Sequence, residues 1–211
     1  GLGLYYYEIG DYDKSEQHLK HAYELDNNEL QAIICLANTL VFKGAYHEAI
    51  SLYKRALEID SKIVEVYYSL GNAYYLLNDI DNAISNYILA VKDKDNMKVE
   101  TFYSLGNALC LKNKFKEAIM CYKQSIKYDP DNGEIYYNLG NCYFITGDKK
   151  KAIARYQEAI EKNYNTDEVK VSLIRAMIYS DENEYREKGR KYLEDIILKE
   201  ITEHFQQMTK F

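Results

Sequence analysis

The 211-residue sequence predicts an all-α fold, a stack of antiparallel helical hairpins of the α-α solenoid kind. Three observations predict it. Gly3, Ala37, Gly71, Gly106 and Gly140 follow one another at intervals of 34, 34, 35 and 34 residues, and Ser15, Ala49, Ala83, Ala118 and Ala152 keep the same steps. Recurrence at this period marks one supersecondary unit written out several times. Within a unit, apolar residues from Leu70-Gly71 to Ala83, Tyr87 and Ala90 recur three, four and seven apart, the period of an amphipathic helix. Small residues (Gly71, Ala83, Ala90) stand among large ones (Tyr67, Tyr74, Tyr87), as close helix crossings require: the crossing leaves room for a hydrogen or a methyl group, and rings fill the gaps beside it.

The units can be followed in order. Residues 1–29 form a partial unit with Leu2-Gly3, Tyr6, Gly10, Tyr12, Ser15, Leu19 and Ala22, so the chain is expected to begin inside its first helix. Residues 30–63 carry Ile33, Leu36-Ala37, Leu40, Gly44, Tyr46, Ala49, Tyr53 and Ala56. Residues 64–98 predict a helix from Val64 to Leu77 and a second from Asp81 to Val91, broken at Asn78-Asp79, with one residue inserted between Lys92 and Asp95. Residues 99–132 have Phe102, Leu105-Gly106, Leu109, Phe115, Ala118, Tyr122, Ser125 and the single proline, Pro130. Residues 133–166 have Tyr136, Leu139-Gly140, Tyr143, Gly147, Ala152, Tyr156 and Ala159. A divergent unit, 167–200, keeps Leu173-Ile174, Met177, Gly189, Leu193 and Ile196 with about three extra residues around Asp181 to Lys188. Leu193, Ile196, Ile197, Ile201, Phe205 and Met208 then share one side of a helix expected from Lys188 to Met208, a cap for the last hairpin.

An aromatic residue, then Leu-Gly three residues on, then Tyr, Gly, Tyr, Ala, Tyr or Phe, Ala and Pro: this order resembles the tetratricopeptide repeat, and it covers nearly the whole chain as a single domain. Departures are local. Trp never fills the first aromatic slot, and Lys149 stands where an aromatic is expected. The resemblance implies a right-handed superhelix whose first helices line a concave groove. Carried over slot by slot, it places four ladders there: Glu65, Glu100, Glu134 and Glu168; Tyr68, Tyr103 and Tyr137; Asn38, Asn72, Asn107 and Asn141; and the apolar pairs Val41-Phe42, Tyr75-Leu76, Cys110-Leu111 and Phe144-Ile145.

Such ladders suit an extended peptide. An asparagine amide offers two N–H donors and one acceptor, which can pair with the acceptor and donor of a peptide bond, and tyrosine adds apolar area with a polar tip. A second role for the asparagines is bonding between neighbouring helices, and glutamate near a helix start also favours the dipole. Phe42, Leu76, Leu111 and Ile145 stand where polar residues are common, which suggests apolar pockets on the groove wall or burial by something beyond this chain. The resemblance also implies an absence. Members that grip a terminal carboxylate use Lys, Asn and Arg, and the basic slots of that set here hold Ile34, Tyr68, Tyr103, Glu65, Glu100, Ser69 and Ser104.

Net charge of −6 offers no basic stripe for a phosphate backbone, so nucleic acid is not an expected partner. No run reaches the roughly 20 apolar residues of a membrane span. Cys35, Cys110, Cys121 and Cys142 lie in different repeats without a Cys-x-x-Cys pair, which points to reduced thiols in an intracellular, cytoplasmic setting and to no zinc site. His18, His21 and Glu24 share a helix face but lack a further ligand, and no phosphate loop or nucleophile–base set appears. The expectation is a non-catalytic scaffold without cofactor or metal, binding a protein segment of neutral to basic character with apolar anchors. Two alternatives are the substrate-recruiting region of a larger enzyme, such as a protein glycosyltransferase, and a structural subunit of an assembly.

Overall fold

The computed structural model describes residues 1–93 and 98–208, with the side chains of Ile197 and residues 200–208 outside that description. Twelve helices and no strand occur among the described residues. Contacts divide the chain into two compact units, Gly1–Asn113 and Lys114–Phe211. The first holds α1 (Leu2–Glu8), α2 (Tyr12–Leu25), α3 (Leu30–Phe42), α4 (Tyr46–Ile59), α5 (Val64–Leu76), α6 (Ile80–Ala90) and α7 (Thr101–Leu111). There α1 pairs with α2, α3 with α4 and α5 with α6, while α2, α4 and α6 each pack on the first helix of the next hairpin. The odd-numbered helices touch one another in sequence and so line a common face. In the second unit are α8 (Phe115–Tyr128), α9 (Gly133–Ile145), α10 (Lys149–Glu161), α11 (Asp167–Ile178) and α12 (Asn183–Met208). The pairs α9–α10 and α11–α12 repeat the hairpin pattern, and α9 touches α11. Of the inserted segment near Lys92, residues Lys94 and Asp95 lie outside the described residues.

The small slots are where the sequence argument required them. A Cβ on Gly71 would stand 2.6 Å from the Tyr87 ring, and one on Gly140 would stand 2.7 Å from the Tyr156 ring. Glycine therefore lets the ring lie flat against the first helix. Ala49, Ala56, Ala83, Ala90, Ala152 and Ala159 have no exposed surface, and Tyr53, Tyr87 and Tyr156 keep only 1%. Ser15 takes an alanine slot in α2 and is buried, its hydroxyl donating to the Gly3 carbonyl at 3.1 Å. That bond meets the cost of burying a polar group.

Hairpin turns share a left-handed residue. Gly10, Gly44, Asn78, Asn113 and Gly147 have φ of 78°, 78°, 61°, 57° and 93°, at the same 34- and 35-residue steps as the helices. Glycine and asparagine are the residues that enter this region most cheaply. Asp11, Asp79 and Asp148 follow three of these residues and cap the next helix, accepting from the amides of Lys14, Asn82 and Lys151.

The last helix starts earlier than expected. The extra residues extend α12 back to Asn183 instead of forming a loop. Ser180 Oγ accepts from the Glu182 amide and the Arg186 guanidinium donates to the carbonyls of Ser180 and Asp181, so the turn before the helix is well bonded. Further on, Leu193 and Ile196 stay 42% and 41% exposed, although residues at the same slots of the other repeats, such as Tyr156 and Ala159, keep 1% or less. A cleft of about 400 Å³ opens beside them, lined by Ile160, Leu173, Ile174, Tyr192 and Ile196. Ile201, Phe205 and Met208, expected to complete a cap, lie outside the described side chains.

Placing a side chain on the left-handed turn tests this account of the hairpins. Gly147→Ala should lower stability by about 1–2 kcal/mol in a thermal or urea melt, whereas Asn78→Gly should be neutral or stabilising.

Candidate functional site

The asparagine ladder is held from behind. Tyr53 donates its hydroxyl proton to Asn38 Oδ1 at 2.5 Å, Tyr87 to Asn72 Oδ1 at 2.7 Å and Tyr156 to Asn141 Oδ1 at 2.8 Å. Each bond crosses its hairpin from the second helix to the first. An amide has one oxygen and two N–H donors, so in Asn38 and Asn72 the oxygen is engaged within the hairpin. The ladder stops at Arg175, an exposed residue whose charge acts on Tyr156.

The apolar ladder is exposed. In the first unit Phe42, Leu76 and Leu111 show 61%, 51% and 55% of their surface, and in the second Ile145 and Tyr179 show 56% and 64%. Phe42 stacks on Tyr12 at 4.8 Å, with Tyr7 edge-on at 6.0 Å. Between α3, α5 and α7, Val41, Tyr75, Leu76, Asn72, Ser104 and Asn107 line a cavity of about 330 Å³. An apolar hollow flanked by two asparagine side chains results.

Tyrosines and glutamates are less uniform than their spacing implies. Tyr68 and Tyr103 are half-buried, but Tyr137 is 8% exposed, its ring 5.9 Å from Tyr156 and 5.8 Å from Tyr164. Glu65 pairs with Lys98 at 2.7 Å. Glu100 is exposed at the start of α7 and makes no side-chain cap bond, while Glu134 is half-buried and Glu168 exposed in the first turns of α9 and α11. Among the described residues no group of three His, Cys, Asp or Glu side chains is placed to hold a metal. His18 is stacked on Tyr6 at 5.3 Å, and His21 and Glu24 meet only at 3.9 Å on the surface. The four cysteines are free, and burial pushes the Cys35 thiol upward. No helix among the described residues is long and apolar enough to cross a membrane.

The geometry is therefore that of a repeat scaffold with a lined face, and the comparisons say which kind. Sequence models of the tetratricopeptide repeat match residues 1–29, 37–78, 106–147 and 133–166. The chain belongs to the tetratricopeptide-repeat family. It is 29% identical over 97 residues to the general transcriptional corepressor trfA of Dictyostelium discoideum, covering 46% of this chain and 7% of that protein. It is 27% identical over 82 residues to tetratricopeptide repeat protein 8 of Caenorhabditis elegans, covering 39% and 16%. The chain thus spans a small part of the curated relatives it matches. Among solved structures, MamA superposes with a TM-score of 0.73 at 24% identity, covering 78% of this chain and 95% of that one. YrrB, described as a TPR protein with an unusual peptide-binding site, superposes at 0.72 and 21%, covering 81% and 88%. These likenesses show the same all-helical solenoid fold.

Burial raises the pKa of Tyr53, Tyr87 and Tyr156 far above the ordinary value of 10.0. A raised pKa in the folded state means that stability is complete below pH about 10 and is lost as pH rises, because only the unfolded chain ionises these groups freely. In an alkaline ultraviolet titration, the exposed tyrosines should ionise first, and Tyr53, Tyr87 and Tyr156 only together with loss of helical circular dichroism. Ionisation of all tyrosines before any loss of helix would contradict the hydrogen-bonded placement.

Proposed function

We propose that this chain is a non-catalytic interaction scaffold that binds an extended peptide along the face lined by its first helices. The observation that carries the reading is the pinned amide: asparagines at one slot of successive hairpins, each fixed by a buried tyrosine, presenting donors beside exposed apolar side chains. Extended peptides offer carbonyl acceptors at regular spacing and side chains for apolar hollows, which is the complement of that face. The glutamates favour a neutral to basic segment over an acidic one. Because the chain matches only 7% and 16% of the length of its curated relatives, a recruiting region within a larger protein is a second reading. It changes what is done with the ligand, not how the ligand is held.

Alanine is a poor probe of the ladder. Asn72→Ala orphans the buried Tyr87 hydroxyl and should destabilise the fold by about 1–3 kcal/mol, mixing stability with affinity. Aspartate keeps an oxygen for the tyrosine and removes the donors. With an uncharged peptide selected from a random displayed library on this chain, Asn38→Asp combined with Asn72→Asp should weaken binding by about 2 kcal/mol, some thirtyfold, with the melting temperature nearly unchanged. Unchanged affinity would show that the amides serve only the hairpins.

A further inference from the structure

The hollow between α3, α5 and α7 has a chemistry more specific than apolar area. Val41, Tyr75 and Leu76 give it apolar walls, and Asn72, Ser104 and Asn107 bring polar groups to the same space of about 330 Å³. Valine accounts for the room. In the slot that Val41 fills on α3, the neighbouring first helices α1 and α5 carry Tyr7 and Tyr75, so the sequence leaves one ring out of a row.

Three properties narrow what can fill it. No lining residue is charged, so an ammonium, guanidinium or carboxylate would give up its water without meeting a counter-charge. A purely aliphatic group would cover the asparagine amides and the serine hydroxyl without pairing them, and polar groups left unpaired on burial cost free energy. The third property is the state of Asn72. Its Oδ1 already accepts from the Tyr87 hydroxyl at 2.7 Å, so two N–H donors are what the amide has left. A guest must therefore bring an acceptor on a large apolar body. Glutamine has the acceptor without the bulk, and indole has the bulk but can only donate. A phenol has both, with few rotatable bonds to freeze.

We propose that this hollow is a subsite for a tyrosine side chain of the bound peptide, its ring taking the room beside Val41 and Tyr75 and its phenol oxygen accepting from the Asn72 amide. The inference rests on the peptide-groove reading and gives that ligand a chemical requirement: one neutral phenol that reaches the first unit. It also gives the ligand an off state. Phosphorylation of that tyrosine would bring about two negative charges to a hollow that has no cation to receive them.

The test is an amide NMR titration of the 211-residue chain with the N-acetyl methylamides of tyrosine, phenylalanine and O-phosphotyrosine. The tyrosine probe should shift the amides of Val41, Asn72, Tyr75 and Ser104 saturably, about fivefold tighter than the phenylalanine probe, the worth of roughly one neutral hydrogen bond. The phosphotyrosine probe should leave them unmoved. Asn72→Ala combined with Tyr87→Phe removes the donor together with the hydroxyl it would orphan, and should erase the preference for tyrosine over phenylalanine. Val41→Phe should close the hollow to both rings; if it also lowers the melting temperature, the double variant decides. Equal affinity for tyrosine and phenylalanine, a preference that survives the double variant, or shifts centred on other residues overturns the proposal. If the tyrosine probe fails while the library-selected peptide still depends on Asn38 and Asn72, only the subsite is lost. If that peptide ignores the asparagines too, the groove reading falls with it.

Discussion

Everything on the lined face depends on one hydrogen bond, from a second-helix tyrosine to the amide oxygen of a first-helix asparagine. The bond exists because a small residue precedes the asparagine. Gly71 and Gly140 leave a flat place where the Tyr87 and Tyr156 rings can lie, and the hydroxyl then reaches the next residue's side chain. In the second hairpin Ala37 is tolerated at this slot and Tyr53 still reaches Asn38 at 2.5 Å. Packing and polarity are coupled: the contact that closes the hairpin also decides which atoms of the amide remain for a ligand.

On the proposed reading, this coupling lets a structural repeat carry recognition as well. The buried half of each Gly-Asn-Tyr set is satisfied inside the hairpin, so it imposes no penalty of unpaired polar groups. A side chain held by one bond is fixed in advance, and on the proposed reading pre-organisation of that kind reduces the entropy lost on binding. Exposed Phe42, Leu76 and Leu111 add apolar area alongside. Placing the ligand chemistry on side chains of rigid helices, with the turns left to glycine, asparagine and aspartate, separates what must stay fixed from what can vary between repeats.

Most of the fold was legible in the sequence because a 34-residue period repeats the same physical constraint, and each copy reinforces the reading of the others. The predicted helices Val64 to Leu77 and Asp81 to Val91 appear as Val64–Leu76 and Ile80–Ala90. Asn78 and Asn113 were harder to recognise as left-handed turn residues, since only their register with Gly10, Gly44 and Gly147 reveals it. The start of α12 was placed at Lys188 and lies at Asn183, because three extra residues can lengthen a helix as easily as a loop when Glu, Arg and Lys supply them. On the candidate site, spacing named the asparagines but could not show which half of each amide is engaged. The fifteen-residue step from Asn38 to Tyr53 and from Asn72 to Tyr87 is the available signal, masked by the gap-filling role that the same tyrosines have. Nor could spacing separate half-buried Tyr68 from buried Tyr137, a difference set by Tyr164 and by neighbours on the next helix.

A double-mutant cycle between Tyr87 and Asn72 tests the central bond most directly. Tyr87→Phe, Asn72→Ala and the double variant should show a coupling of about 0.5–3 kcal/mol in unfolding free energy, because the second change costs little once the first has removed its partner. Single-variant effects that add within about 0.3–0.5 kcal/mol would mean that the two side chains act independently and that the amide is not pinned.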